Sequence, residues 1–184
     1  MSELNKIALK ILSNGKGILA ADESNGTMTK RLDSVNIESS PETRLLFRET
    51  LFASKSMRDC IGGVILYDET INQTSNLGKT IPSMISETGA VPGIKVDTGA
   101  KDLANSLDEK ITEGLDGLRE RLKKYYELGA RFTKWRGVYN IGEKYPSKLA
   151  INSNAHALAR YSALVQECGM VPIVEPEVLM DGEH

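Results

Sequence analysis

Sulfur ligands, histidines and long apolar runs are all scarce in this sequence. Its two cysteines, Cys60 and Cys168, lie far apart without C-x-x-C spacing, which argues against a zinc site or a disulfide framework. Of two histidines, His156 falls inside a helical pattern and His184 is the last residue, so no Ser-His or Cys-His pair suggests itself for nucleophilic catalysis. No apolar run approaches the roughly 20 residues a membrane-spanning helix needs. The opening Met-Ser-Glu-Leu-Asn-Lys lacks the apolar centre of a signal peptide. A net charge of -2 and a pI near 5.8 give no electrostatic reason to expect nucleic acid. The expectation is a cytoplasmic protein with no metal, no nucleic-acid partner and no membrane partner.

What is present is an ordinary globular composition, 40% hydrophobic and 26% charged, in 184 residues, which suits a single domain over 1–184. Apolar residues at helical spacing (Leu4, Ile7, Ala8, Ile11, Leu12) follow Ser2 as a cap, and Asn14-Gly15 makes a stop. Ser40-Pro41-Glu42 predicts a second helix start, with Leu45, Leu46, Leu51 and Phe52 as its apolar residues. Later helices carry Leu115, Leu118, Leu122 and Tyr125, then Leu158, Tyr161 and Val165. Between them, apolar runs of strand type begin near residues 17, 62, 91, 131 and 170. Residues 72–80 and 99–113 read as polar loops, and Asn25-Gly26 as a turn. Strands alternating with helices imply a parallel α/β sheet, either a small open one or the first part of a (β/α) barrel.

The strand ends carry the chemistry. Residues at i and i+2 share a face, and several runs end in polar pairs with that spacing: Asp22 and Ser24, Lys95 and Asp97, Lys134 and Arg136, Glu175 and Glu177. In a parallel sheet these C-terminal ends share one edge, where α/β proteins build their sites. Each charge taken singly also fits a solvated loop residue, Lys134-Trp135-Arg136 fits a rim ion pair beside a packed tryptophan, and Glu175-Pro176-Glu177 fits the start of a loop. Four strands ending alike favour a common cleft. Lysines mixed with carboxylates suit proton transfer next to a carbonyl, and lysines crowded by cations gain a lowered pKa and become amine nucleophiles. Arg31, Lys134 and Arg136, with the hydroxyls of Ser24 and Thr27, suit a dianionic phosphate.

The segments KGILAADESNGTMTKRL, CIGGVILYDET, PGIKVDTG, EGLDGLRERL, FTKWR and MVPIVEPEVLMDGEH, which span the chain in order, closely resemble class I fructose-1,6-bisphosphate aldolase. The resemblance implies a (β/α)8 TIM barrel, of which these residues cover about the first five βα units. It implies a cofactor-free, metal-free Schiff-base lyase of glycolysis, cleaving fructose 1,6-bisphosphate to dihydroxyacetone phosphate and glyceraldehyde 3-phosphate, and assembled as a homotetramer. By the same resemblance Asp22, Lys134, Glu175, Lys95 and Glu177 are catalytic. Ser24, Thr27, Arg31, Arg44 and Arg136 then bind the sugar phosphate. The family's imine-forming lysine lies on a sixth strand, in a Glu-Gly-x-x-Leu-Lys-Pro type motif that these residues do not contain. The chain alone is therefore expected to be an inactive fragment. The alternatives are an aldolase for another phosphorylated ketose, or a non-catalytic half-barrel that binds phosphate or a partner.

Overall fold

The computed structural model describes residues 2–182 and 184. Helix α1 (Glu3–Leu12) starts at Ser2, whose hydroxyl accepts the Asn5 N–H, and stops at Asn14 and Gly15, both with positive φ. Strand β1 (Gly17–Ala21) follows, then helices α2 (Asn25–Asp33), α3 (Pro41–Phe52) and α4 (Met57–Cys60). Strand β2 (Ile61–Leu66) leads through α5 (Asp68–Ile71) and α6 (Ile81–Glu87) to β3 (Val91–Lys95). A hairpin of β4 (Ala100–Asp102) and β5 (Lys110–Thr112) precedes α7 (Leu118–Glu127), β6 (Phe132–Tyr139), α8 (Lys148–Glu167) and β7 (Val171–Val178).

The five longer strands form one parallel sheet in the order β1-β2-β3-β6-β7. Alternation sorts their side chains onto two faces. Val64, Leu66, Ile94 and Trp135 point to the larger core, packed with Leu118, Leu122 and Tyr125 of α7 and with Leu158, Tyr161 and Val165 of α8. Tyr161 staples the layers: its hydroxyl hydrogen-bonds Thr133 Oγ1 at 2.6 Å and donates to the Ile173 carbonyl at 3.1 Å. Ile65, Val91 and Phe132 point to the other face, where α1 covers them with Ile7 and Ile11. The edge strands β1 and β7 leave Ile18 and Val174 partly exposed.

Two glycines make this second face possible. The Phe132 ring occupies the space a Gly93 side chain would need, and a Cβ on Gly62 would sit 1.8 Å from the Ile11 carbonyl oxygen. That oxygen is backbone and cannot rotate aside. Gly62→Ala is therefore expected to unseat α1, costing about 3 kcal/mol, the upper part of the range for overpacking. At roughly 2–4 °C per kcal/mol for a chain of this size, the melting temperature should fall by about 6–12 °C. A melting curve matching the parent's would show that α1 is not held against β2.

The five expected strands are present within two residues of their expected starts, and the expected helices are present, although Leu115 precedes α7, which begins at Leu118. Three local readings need correction. Asn25-Gly26 is the first turn of α2, because Ser24 caps it by accepting the Thr27 N–H. Residues 99–113 contain the β4–β5 hairpin, held to α8 by Asn154, which receives the Thr112 N–H and donates to the Lys110 carbonyl. In α3, Leu46 and Leu51 are exposed while Arg44, Arg48, Glu49 and Phe52 are buried. This helix turns its charged stripe inward because the half-buried acids Glu23 and Glu69 and the buried Thr70 hydroxyl, near the ends of β1 and β2, need partners.

Candidate active site

At the C-terminal edge of the sheet, a cleft of about 440 Å3 is lined by Asp22, Glu23, Ser24, Thr27, Arg31, Tyr67, Lys95, Asp97, Thr98, Gly99, Lys134 and Arg136. Its centre is Lys134 on β6. The Nζ lies 2.8 Å from Asp22 Oδ2, just past β1, and 3.5 Å from Glu175 Oε2 on β7, so one ammonium links opposite edges of the sheet. Lys134 is 9% exposed and Asp22 8%. Burial pulls the Lys134 pKa down, but the Asp22 hydrogen bond and the charges of Asp22 and Glu175 outweigh it, and the net shift is upward. This overturns the expectation of a cation-crowded lysine with a lowered pKa. Lys134 is a fixed ammonium between carboxylates.

Lys95 stands beside Lys134 in register on the neighbouring strand. The two like charges are tolerated because each has its own acid: Lys95 pairs with Asp97 and also donates to the Asp97 carbonyl at 3.1 Å. Asp97 in turn accepts the Gly99 N–H at 3.0 Å and the Arg136 N–H at 3.4 Å, which fixes the rim of the cleft. Arg136, half exposed, pairs with Glu177 at 2.9 Å. On the other wall Ser24 and Thr27 form the N-terminal turn of α2, their hydroxyls 3.1 Å apart, and Arg31 on the same helix pairs with Glu23. A helix N-terminus with two hydroxyls and a guanidinium is a good setting for an anion.

Most of the residues singled out by sequence meet here, with one exception. Asp22, Ser24, Thr27, Arg31, Lys95, Lys134 and Arg136 line the cleft, and Glu175 and Glu177 reach it through Lys134 and Arg136. Arg44 does not line it. Its guanidinium is taken by Glu69 in a fork of 2.8 and 2.6 Å, a pairing that lowers the Glu69 pKa and raises its own. Glu23, Tyr67, Thr98 and Gly99 line the cleft without having been singled out, and fully buried Arg48 supports it by donating to the Glu23 carbonyl at 2.6 Å. The spacing of Arg48, one turn beyond Arg44 behind a strong cap, was the available signal. His156 lines a separate cavity beside Asp116 and Arg160. Among the described residues no group of three His, Cys, Asp or Glu side chains is placed to hold a metal ion, and no helix is long and apolar enough to cross a membrane.

Comparison with known proteins gives this arrangement a lineage. The family model for Fructose-bisphosphate aldolase class-I matches residues 3–184. A probable class 1 fructose-bisphosphate aldolase of Xylella fastidiosa is 53% identical over 184 residues, all of this chain and 55% of the relative. Cytosolic fructose-bisphosphate aldolase 6 of Arabidopsis thaliana is 53% identical over 182 residues, 99% of this chain and 51% of the relative. Among solved structures, a fructose-bisphosphate aldolase from Plasmodium falciparum superposes with a TM-score of 0.96 at 44% identity, covering 99% of this chain and 53% of its own. The chain thus spans about half the length of the curated relatives it matches. Its five-stranded sheet is a half-barrel of the aldolase type, and the chain belongs to the class-I fructose-bisphosphate aldolase family.

Proposed function

We propose that these residues supply the first five βα units of a TIM barrel that cleaves fructose 1,6-bisphosphate reversibly through a lysine imine. The supporting observation is the Asp22–Lys134–Glu175 chain of charges across the strand ends, with Lys95 beside it. In the reaction a lysine amine adds to the substrate ketone and gives a carbinolamine. Loss of water leaves the protonated imine, which accepts the electron pair of the breaking carbon–carbon bond as the aldehyde departs. The imine lysine belongs to a strand outside these residues, as the family resemblance implies. Glu175 gives and takes the proton at the carbinolamine, with Glu177 in the same pocket. Lys134 stabilises oxygen charge as it develops, Asp22 orients substrate hydroxyls and assists proton movement, and Lys95 adds positive charge. Ser24, Thr27 and Arg31 hold one phosphate, and Arg136 contributes on the substrate side. Arg44, held by Glu69, is placed on the substrate side by the family resemblance alone. The same reading carries a homotetrameric assembly, and a cytoplasmic location in keeping with the cytosolic Arabidopsis relative.

The test is a complete chain in which this half-barrel is joined to the second half of the Xylella fastidiosa relative. It should cleave fructose 1,6-bisphosphate in the presence of EDTA, and borohydride with dihydroxyacetone phosphate should leave an adduct on one lysine. The 184 residues alone should show only background cleavage. Activity abolished by EDTA, or no adduct, would sink the reading. A preference for fructose 1-phosphate or sedoheptulose 1,7-bisphosphate would reassign the substrate within the same chemistry. In the complete chain Arg31→Ala should raise KM about tenfold or more with a smaller change in kcat, the signature of lost ground-state phosphate binding. An unchanged KM removes Arg31 from the phosphate subsite.

A further inference from the structure

Glu23 stands between two arginines of opposite character. One carboxylate oxygen pairs with Arg31, whose side chain is 55% exposed. The other, Oε2, is buried without a hydrogen-bond partner and lies 3.7 Å from Nη2 of Arg48, just beyond hydrogen-bond length. Arg48 is 0% exposed, and its Nε is likewise buried with no acceptor. Its Nη1 donates to Thr70 Oγ1 and its Nη2 to the Glu23 carbonyl, which fix the guanidinium in place. Burial pulls its pKa below the ordinary arginine value, opposed by the charges of Glu23 and Glu69. Nη2 of a desolvated cation therefore lies just out of reach of a carboxylate oxygen with an unmet acceptor, a costly state that a small movement of Glu23 would relieve.

We propose that Glu23 guards the Arg31 anion subsite by exchanging between two arginines. Without an anion it neutralises Arg31; when a phosphate dianion engages Arg31, the Glu23 carboxylate moves fully onto Arg48. This rests on Arg31 being a phosphate ligand in the reading above. The exchange discriminates by charge. A monoanion offers Arg31 only what Glu23 already supplies, so it gains little by displacing the guard. A dianion offers more charge and more acceptor oxygens, and the released carboxylate closes its 3.7 Å gap to Nη2 of Arg48. The α2 N-terminus and the Ser24 and Thr27 hydroxyls then close around the remaining phosphate oxygens.

The exchange is read by the side-chain Nε–Hε signals of Arg31 and Arg48 while inorganic phosphate, or acetate as the monoanion, is titrated into the complete chain described above at about pH 8, where phosphate is mainly a dianion. Phosphate should shift both signals together, although Arg48 is buried and cannot touch it; acetate should shift neither appreciably. In Glu23→Gln the Arg48 signal should stop responding. The preference for phosphate over acetate should fall about fivefold there, the worth of one partly exposed ion pair. If that variant does not fold, the wild-type Arg48 signal decides by itself. Phosphate that shifts Arg31 with Arg48 unmoved, phosphate that shifts neither, or an unchanged preference in Glu23→Gln would each overturn the exchange. Failure of the aldolase reading shows separately, as a missing lysine adduct in the complete chain.

Discussion

Replacing Lys134 by methionine is expected to cost the folded chain about 3–5 kcal/mol, the usual penalty for removing one partner of a buried ion pair. In a complete barrel it should also lower kcat by roughly 10²–10³-fold, as loss of a preorganised charge at a reacting oxygen does. Methionine nearly matches the length of lysine, so packing is kept and charge is the main loss. Asp22, 8% exposed, would be left without its cation and facing Glu175. Asp22→Asn in the same chain should return part of the stability, since losing both partners costs less than stranding one, but none of the rate. The sign of the pH dependence follows from the upward shift of the Lys134 pKa. A raised folded-state value means the stabilisation is fully present below the unfolded lysine value of about 10.4, and is lost as pH rises through the higher folded value. Across neutral pH this group contributes a constant amount. Urea unfolding of parent, single and double variants reads the stability term. A Lys134→Met loss under about 1 kcal/mol, the size expected of an exposed pair, would mean that the link is solvated rather than buried.

The architecture was legible because each strand carries its own punctuation. Gly17, Gly62-Gly63, Gly129 and Gly169 set apart short apolar runs, and the runs end in polar pairs whose two-residue period puts them on one face. Convergence of Asp22, Lys95 and Lys134 follows from parallel topology alone. What sequence did not reveal was the partnering. The roles of Glu23 and Arg48 depend on α3 turning inward, and α3 misleads because, of the apolar residues that should mark its buried face, Phe52 is buried and Leu45 packs on the core but the other two are exposed. Leu46 and Leu51 point out while Arg44 and Arg48 point in. That inversion follows from long-range demand: half-buried Glu69, buried Thr70 and the Glu23 carbonyl, all near strand ends, take their donors from α3. The resemblance puts Arg44 on the substrate side, and its acid, Glu69, 25 residues away in sequence, comes beside it only in the fold. The β4–β5 hairpin was hidden because three-residue strands with exposed Lys and Asp carry no apolar alternation.

Glu175→Gln in the complete barrel is expected to lower kcat by about 10²–10⁴-fold, the range for a general acid–base group, with KM little changed and the fold retained. Glutamine keeps the shape and one carbonyl oxygen but cannot exchange a proton at the carbinolamine. Its position fits the role: Glu175 is half-buried on β7, with Oε2 3.5 Å from the Lys134 ammonium, close enough to be oriented and far enough to swing toward substrate. Asp22, held at 2.8 Å on the same ammonium, is the more tightly committed of the two carboxylates. Glu177 is spoken for by Arg136 at 2.9 Å and lies one inward position further along the strand. The division of labour makes the pH profile diagnostic. If Glu175 is the acid–base, its glutamine variant loses a limb of the kcat profile and stops accumulating imine under borohydride, because carbinolamine no longer dehydrates. Glu177→Gln and Asp22→Asn keep that limb at reduced rate. If Glu175→Gln retains both limbs and more than about a tenth of the parent kcat, the proton passes through Glu177 or Asp22, and the Lys134–Glu175 contact serves only to hold β7 against β6.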